Sequence, residues 1–208
     1  YRPSIVYGDS RTGRSLLFNA VYYPVRAALF LRDLYEKDIR EREGKRAAGL
    51  GVLIEPDGTV RLPLRIETAD RGGLNLVPVD FFTKAFMALL EGAPGGGVFH
   101  IVNSRTKRVE DLIDYSCRLF RISGVRACRR AEFEAAPRNP LEALYDRSIE
   151  AYGPYMRDTR TFETGISGPI LMGRGVVCPD FDYGVFSRCM EFAVRTDWGA
   201  RLFDRSIR

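Results

Sequence analysis

The sequence is poor in the residues that many enzymes and metal proteins depend on. It has one histidine and four cysteines, and only four of its 32 basic residues are lysine. A triad built on histidine, or a multi-histidine metal centre, would have to centre on His100. That residue sits in the apolar run VFHIVN, where it reads as part of the core. The cysteines at 117, 128, 178 and 189 include no pair at the two-residue spacing of a zinc knuckle or a redox motif. No metal site is expected. Cys117 and Cys189 fall in predicted helices as small core residues, and a reducing cytoplasm is the simplest setting. No apolar run reaches the ~18 residues of a membrane helix. Tyr1 opens the chain with neither an initiating Met nor a basic-then-apolar leader, so no signal peptide is expected within it.

What is present suits a folded domain. The hydrophobic share is 45% and the net charge is +5, with acidic residues numbering 27. Acidic and basic residues alternate along most of the chain. The continuous basic stripe of a nucleic-acid binder is missing, so no nucleic-acid partner is expected. The arginine excess fits phosphate or carboxylate binding through the guanidinium fork. The more ordinary explanation is coding bias toward arginine in a GC-rich genome.

Along the chain, PSIVYG reads as a short strand and GDSRTGRS as a polar turn. Leu16 to about Ala48 is helical in pattern, with Pro24 expected to break or kink it. Val25, Ala28, Leu29, Leu31, Leu34 and Tyr35 form an apolar face, and the mixed charges of Glu36 to Arg46 a solvated one. Gly49 to Leu64 reads as a hairpin around Asp57-Gly58. A helix follows with Asp80 as N-cap and Gly92 as C′ residue. After a GAPGGG loop, VFHIVN reads as a strand buried on both faces. Val109 to Phe120 is an amphipathic helix, Val125 to Arg129 a short strand, and Asn139-Pro140-Leu141-Glu142 a helix start. Residues 155 to 181 read as irregular, and a last helix runs from about Asp182 to Arg195 with Val185, Phe186, Cys189, Met190 and Ala193 inward. Two buried-type strands, each followed by a helix, suggest a parallel α/β sheet.

Recognisable nucleotide chemistry is missing. No glycine pair completes G-x-G-x-x-G, and Gly95-Gly96-Gly97 precedes a strand where a dinucleotide loop follows one. Acid–base candidates centre on Asp9, just past the C-terminal end of the first strand, where open α/β sheets bind ligands. Ser10 and Thr12 add hydroxyls there, and Gly8 and Gly13 admit close backbone approach. A turn in which Asp9 caps its own backbone stays open as the alternative. Arg11 and Arg14 flank the turn, as anion-binding arms or as solvated surface.

Three segments carry a resemblance. YRPSIVYGDSRTG resembles the late strand of extended short-chain dehydrogenases/reductases, with its Arg-Pro-x-x-x-x-Gly signature. NLVPVDFFTKAF and VFHIVNSRTKRVEDLIDY resemble the family's later segments, in the same order and spacing, so the resemblance runs from Tyr1 to about Arg126. Val-Pro-Val-Asp after Asn-Leu is most similar to the branch of fatty acyl-CoA reductases and thioester reductase domains (male-sterility-like NAD-binding).

The resemblance implies an α/β fold: a partial Rossmann-like parallel sheet, late strands only, plus a mixed, mainly helical substrate-binding region. Residues 1–130 would be the reductase part with an inserted hairpin, and 131–208 the substrate-binding region. It implies an NADP- or NAD-dependent reductase of acyl thioesters, bound to CoA or to an acyl carrier domain. Backbone around Pro3, Ser4 and Ile5 would touch the nicotinamide end. Gly8, Asp9 and Ser10 would line the substrate pocket, and Asp80 would cap its helix. The departures are large: the phosphate loop is missing, and none of the ten tyrosines has Lys four positions on. That pair is needed because the lysine lowers the tyrosine pKa so that the phenol moves a proton as hydride transfers. The chain is therefore expected to be the C-terminal part of a reductase and inactive alone, with no catalytic residue of its own. Its raw sheet edge would favour a missing N-terminal half or a homo-oligomer. Lys107-Arg108 before Val109 leave that helix capped by Thr106 or poorly capped. Two other readings stay open: a fragment of a nucleotide-sugar epimerase or dehydratase, and a non-catalytic binding module of the same fold.

Overall fold

The computed structural model describes residues 1–92 and 95–202. Two compact units interleave along the chain. The first comprises Tyr1–Val21, Leu74–Lys107 and the residues from Arg160 onward; the second comprises Tyr22–Gly73 and Arg108–Thr159. Elements are numbered in chain order across both.

The first unit is built on one extended segment broken into β1 (Arg2–Pro3) and β2 (Ile5–Tyr7). β2 pairs in parallel with β5 (Leu76–Pro78), and β1 in parallel with β6 (His100–Ile101). Arg2 and Ser4 donate their N–H groups to Phe99 and Ile101, whereas Ile5 donates to Asn75. Alternate residues of a strand point their N–H groups to opposite sides, so the segment lies between β6 and β5. The parallel α/β reading of the sequence therefore holds. β6 is shorter than VFHIVN, and past its end Asn103 bonds to a side chain: its N–H donates to Asn75 Oδ1 at 2.9 Å, and Asn75 Nδ2 donates back to the Asn103 carbonyl at 2.8 Å.

Helices cover this sheet. α3 (Val79–Gly92) presents Phe81, Ala85, Ala88 and Leu89 to Val77, Phe99, Ile101 and Leu171. α9 (Tyr183–Arg195) buries Val185, Phe186, Cys189, Met190 and Ala193, as its spacing predicts, and Asp182 caps it by accepting from the Val185 N–H at 2.8 Å. Within the stretch expected to be irregular, Ser167–Gly173 forms a further helix, α8. Its glycines disguise it, and Pro169 sits in the first turn, where no intrahelical N–H is required. Of the GAPGGG loop, residues 93 and 94 lie outside the described residues.

The second unit holds a three-stranded sheet of β3 (Leu53–Ile54), β4 (Val60–Glu67) and β7 (Ile122–Cys128). The β3–β4 hairpin turns at Asp57-Gly58 as expected, and β4 and β7 run parallel. Pro63 has no N–H to give, and the β4–β7 register shifts between Arg61 and Leu64. Gly124 completes this irregularity at φ +78°, where a Cβ would stand 2.8 Å from the Leu62 carbonyl oxygen.

The helices of this unit are α1 (Tyr22–Glu41), α2 (Lys45–Gly49), α4 (Val109–Phe120), α5 (Arg130–Glu134), α6 (Pro140–Ser148) and α7 (Gly153–Met156). α1 corrects the expected helix from Leu16: residues 16–21 are not helical, and Pro24 stands in the first turn instead of breaking the middle. The Ser15 hydroxyl donates to the Leu17 carbonyl and accepts from its N–H, a local alternative to helix. Asp38 is the buried exception on the charged face: Oδ2 accepts from the N–H groups of Arg46 and Ala47 and caps α2. α4 starts without a side-chain cap, the poorer of the two outcomes expected there. α6 carries the full capping box between Asn139 and Glu142. Glu142 also receives Arg65 Nε at 2.7 Å, Arg65 Nη2 at 2.9 Å and the Arg65 N–H at 3.1 Å. The start of α6 is thereby tied to the middle of β4.

Candidate functional site

The loop 8–14 leaves the C-terminal end of β2, beside the start of α3. In an open parallel sheet this is the end at which ligands bind. The loop is closed by its own hydrogen bonds. The Asp9 N–H donates to the Arg14 carbonyl and the Gly13 N–H to the Asp9 carbonyl, both at 2.8 Å. Asp9 Oδ1 accepts from the N–H groups of Arg11 and Thr12, at 3.0 and 2.8 Å, and from Thr12 Oγ1 at 2.8 Å. Burial pushes the Asp9 carboxyl up, but these donors and the nearby Arg11 guanidinium together hold it below the usual carboxylate value. Asp9 is thus the organiser of a turn, held through Oδ1, with Oδ2 4.0 Å from the Arg11 guanidinium.

Ser10 is 7% exposed and is held from two sides. Its N–H donates to Asp80 Oδ1 and its Oγ to Asp80 Oδ2, each at 2.9 Å. Its carbonyl accepts from Arg188 Nη2 at 3.0 Å and from Nε at 3.3 Å. Asp80 belongs to the first turn of α3 and reaches across to the loop, so the N-cap expected of it gives way to a tertiary contact. Gly13 has φ +71°, and a Cβ there would overlap the backbone carbonyl of Arg188. Gly8 is buried, while Arg11, Thr12 and Arg14 are exposed on the loop's outer side.

Pro3, Ser4 and Ile5 form the middle of the paired segment. The Ser4 N–H is used by Ile101, yet Ser4 Oγ is buried without a hydrogen-bond partner. A buried hydroxyl without a partner is costly. It is the one side-chain group among these three residues that can serve a ligand.

His100 is half-buried at the start of β6, and its Nδ1 lies 2.9 Å from the Glu163 carbonyl oxygen. It is a satisfied core-edge residue, away from loop 8–14 in both partner and strand position. Among the described residues no cluster of histidine, cysteine and carboxylate groups has the makings of a metal site. Burial pushes the Cys117 thiol up to about 11 and the Cys178 thiol to about 12, the latter helped by Asp80 and Asp180. Neither is a thiolate nucleophile at neutral pH. The second unit has a polar cleft of about 560 Å³ lined by Arg130, Arg138 and Arg157. Its cations are matched by carboxylates: Arg130 with Glu134, Arg138 with Asp146 and Arg157 with Glu67. No described helix is long and apolar enough to cross a membrane.

Parallel strands with flanking helices and a loop at their C-terminal end make the first unit Rossmann-like, and the second unit adds a three-stranded mixed sheet. No protein-family model and no curated protein matches the chain. Solved structures do. The terminal R domain from the myxalamid PKS-NRPS biosynthetic pathway aligns with a TM-score of 0.58 at 20% identity, covering 95% of this chain and 43% of that one. A thiolation-reductase di-domain from an archaeal non-ribosomal peptide synthetase aligns with a TM-score of 0.57 at 13% identity, covering 95% of this chain and 36% of that one. The chain has the fold of these reductase domains and spans less than half the length of either.

Sequence reasoning located the Ser10 loop but not what fixes it. Asp80 was visible only as a helix-start acid, and Arg188 carried no signal at all. Their partner is 70 and 178 residues away in the chain.

Proposed function

We propose that this chain is the substrate-side portion of an NAD(P)H-dependent reductase acting on acyl thioesters, with the acyl group carried by CoA or by a carrier domain. The observation that supports it best is the fold shared with carrier-linked reductase domains, placed on a chain whose Arg-Pro-x-x-x-x-Gly segment forms the central parallel strand. Residues 131–208 belong, in this reading, to the substrate-binding part.

The residues present fit one end of the cofactor. Pro3, Ser4 and Ile5 would hold the nicotinamide end, where Ser4 Oγ offers an unused hydroxyl. The phosphate end has no such fit here: the N–H groups of residues 10 to 13 are all spent on Asp9 and Asp80, and no glycine-rich cradle is present among the described residues. When bound, the nicotinamide supplies the hydride that adds to the thioester carbonyl carbon, and the carbon–sulfur bond breaks to release the thiol. This chain's contribution is to wall the site with loop 8–14. The proton must come from a tyrosine–lysine pair outside it.

Alone, the chain is expected to give no turnover. Joined to a segment that supplies a phosphate loop and Tyr-x-x-x-Lys, it should oxidise NADPH, followed by absorbance, when given an acyl pantetheine thioester. Oxidation or reduction of a nucleotide sugar by the joined protein, with no acyl thioester accepted, would overturn the reading.

A further inference from the structure

We infer that Asp80 is the positioning residue of this site, with Arg188 as its counterpart. The inference rests on the proposed reading only for the identity of the ligand. The starting point is that loop 8–14 has little freedom to offer a ligand from its backbone. Its amides from Ser10 to Gly13 all have protein acceptors. What the loop supplies is a shape, and its exposed arginines ride on that shape.

That shape is set at Ser10. Internal bonds of the loop, those of Asp9, close the turn but do not fix where the turn stands over the sheet. Ser10 does, because both of its donors go to one carboxylate on α3 and its acceptor goes to one guanidinium on α9. The two bonds to Asp80 are charge-assisted and two-pronged, so they define orientation as well as distance. Gly13 then lets the loop lie directly against the α9 backbone at Arg188. Sheet, α3 and α9 meet at a single residue of a ligand-end loop. Asp80 touches no part of a ligand in this scheme; it acts through Ser10.

The test uses the chain as it stands. Asp80→Ala removes both acceptors. Asp80→Asn restores both bonds with one of them reversed, since its carbonyl accepts from the Ser10 N–H and its amide donates to Ser10 Oγ. Ser10→Ala removes one bond and leaves α3 untouched. Two measurements are made on each: hydrogen exchange of the amides of residues 10–13, and affinity for an acyl pantetheine thioester by calorimetry. The expected result is exchange at least tenfold faster in Asp80→Ala, with affinity lowered about tenfold, the size of one charge-assisted bond at the weak end of its range. Asp80→Asn should recover most of both, Ser10→Ala should fall between, and Arg188→Met should follow Asp80→Ala in the same direction. Unchanged exchange in Asp80→Ala overturns the positioning role itself. Faster exchange with unchanged thioester affinity overturns its bearing on the site. No thioester binding by the unaltered chain, with the exchange pattern as expected, overturns the substrate reading and leaves the positioning of the loop standing.

Discussion

Replacing Glu142 by alanine should be among the most damaging single changes in the second unit. The carboxylate is 1% exposed and accepts four hydrogen bonds beyond any solvent: three from Arg65 and one, at 3.0 Å, from the Asn139 N–H. Its removal strands a guanidinium whose side chain is 14% exposed and which keeps only the Pro137 and Ala136 carbonyls. Breaking one side of a buried pair costs about 3–5 kcal/mol. At this chain length a loss of about 4 kcal/mol lowers Tm by roughly 10 °C. Urea unfolding followed by circular dichroism should show a lower midpoint with the slope unchanged. Glu142→Gln keeps one acceptor oxygen but sets its amide NH2 against two N–H donors, so it should recover only part of that loss. Replacing both partners, Arg65→Met with Glu142→Leu, should recover much of the loss, because the desolvated charges go together. The sign with pH follows from the carboxyl itself. Burial pushes it up, and the bonds from Arg65 and Asn139 outweigh burial and bring it below its ordinary value near 4.5. A depressed native value contributes stability above 4.5 that is lost as pH falls through the native one. The unaltered chain should therefore lose more stability than Glu142→Gln on acidification below that point. A cost under about 1 kcal/mol for Glu142→Ala, the range of an exposed pair, would refute the reasoning.

Four further outcomes are expected. Gly13→Ala should destabilise the first unit by more than about 2 kcal/mol, since a positive φ and an overlap with the Arg188 carbonyl act together; thermal unfolding checks it. Cys117 and Cys178 should react with iodoacetamide far more slowly than a free thiol at neutral pH, their thiols standing near 11 and 12, and should speed up on unfolding in urea. Leu16→Ser and Leu17→Ser should change stability by less than about 0.5 kcal/mol, at 77% and 71% exposure. The fully buried Phe186 changed to alanine should cost about 3–5 kcal/mol.

What was legible in the sequence was local. Asn139-Pro140-Leu141-Glu142 announces a capping box because its members bond each other within one turn, and Asp57-Gly58 announces the hairpin for the same reason. The inward faces of α4 and α9 follow from spacing alone. The misreadings have a common cause. Leu16 and Leu17 fit a helical period, but Ser15 holds their backbone otherwise. Asp80 opens a helix as a cap would, and its carboxylate goes to Ser10. An acid at a helix start gives the same signal in both cases, and only the folded chain decides between them. α8 was hidden because glycine and proline count against helix when read without position. The Ser10 site shows the limit most clearly: the residue was found, and both groups that hold it were not.

The chain passes between its two units four times, and this orders events during synthesis. Of the three residues Ser10 leaves the ribosome first, Asp80 follows 70 residues later, and Arg188 comes 178 residues after Ser10. At about 5–20 residues per second, the first grip on the loop can form within seconds, while the second must wait until α9 has emerged. The whole second unit is translated between Ser10 and Arg188, as two separated stretches with the β5–α3–β6 segment between them. Neither unit can be released by a single cut. A nascent chain stopped before α9 should hold a complete second unit and a first unit whose ligand-end loop is fastened on one side only.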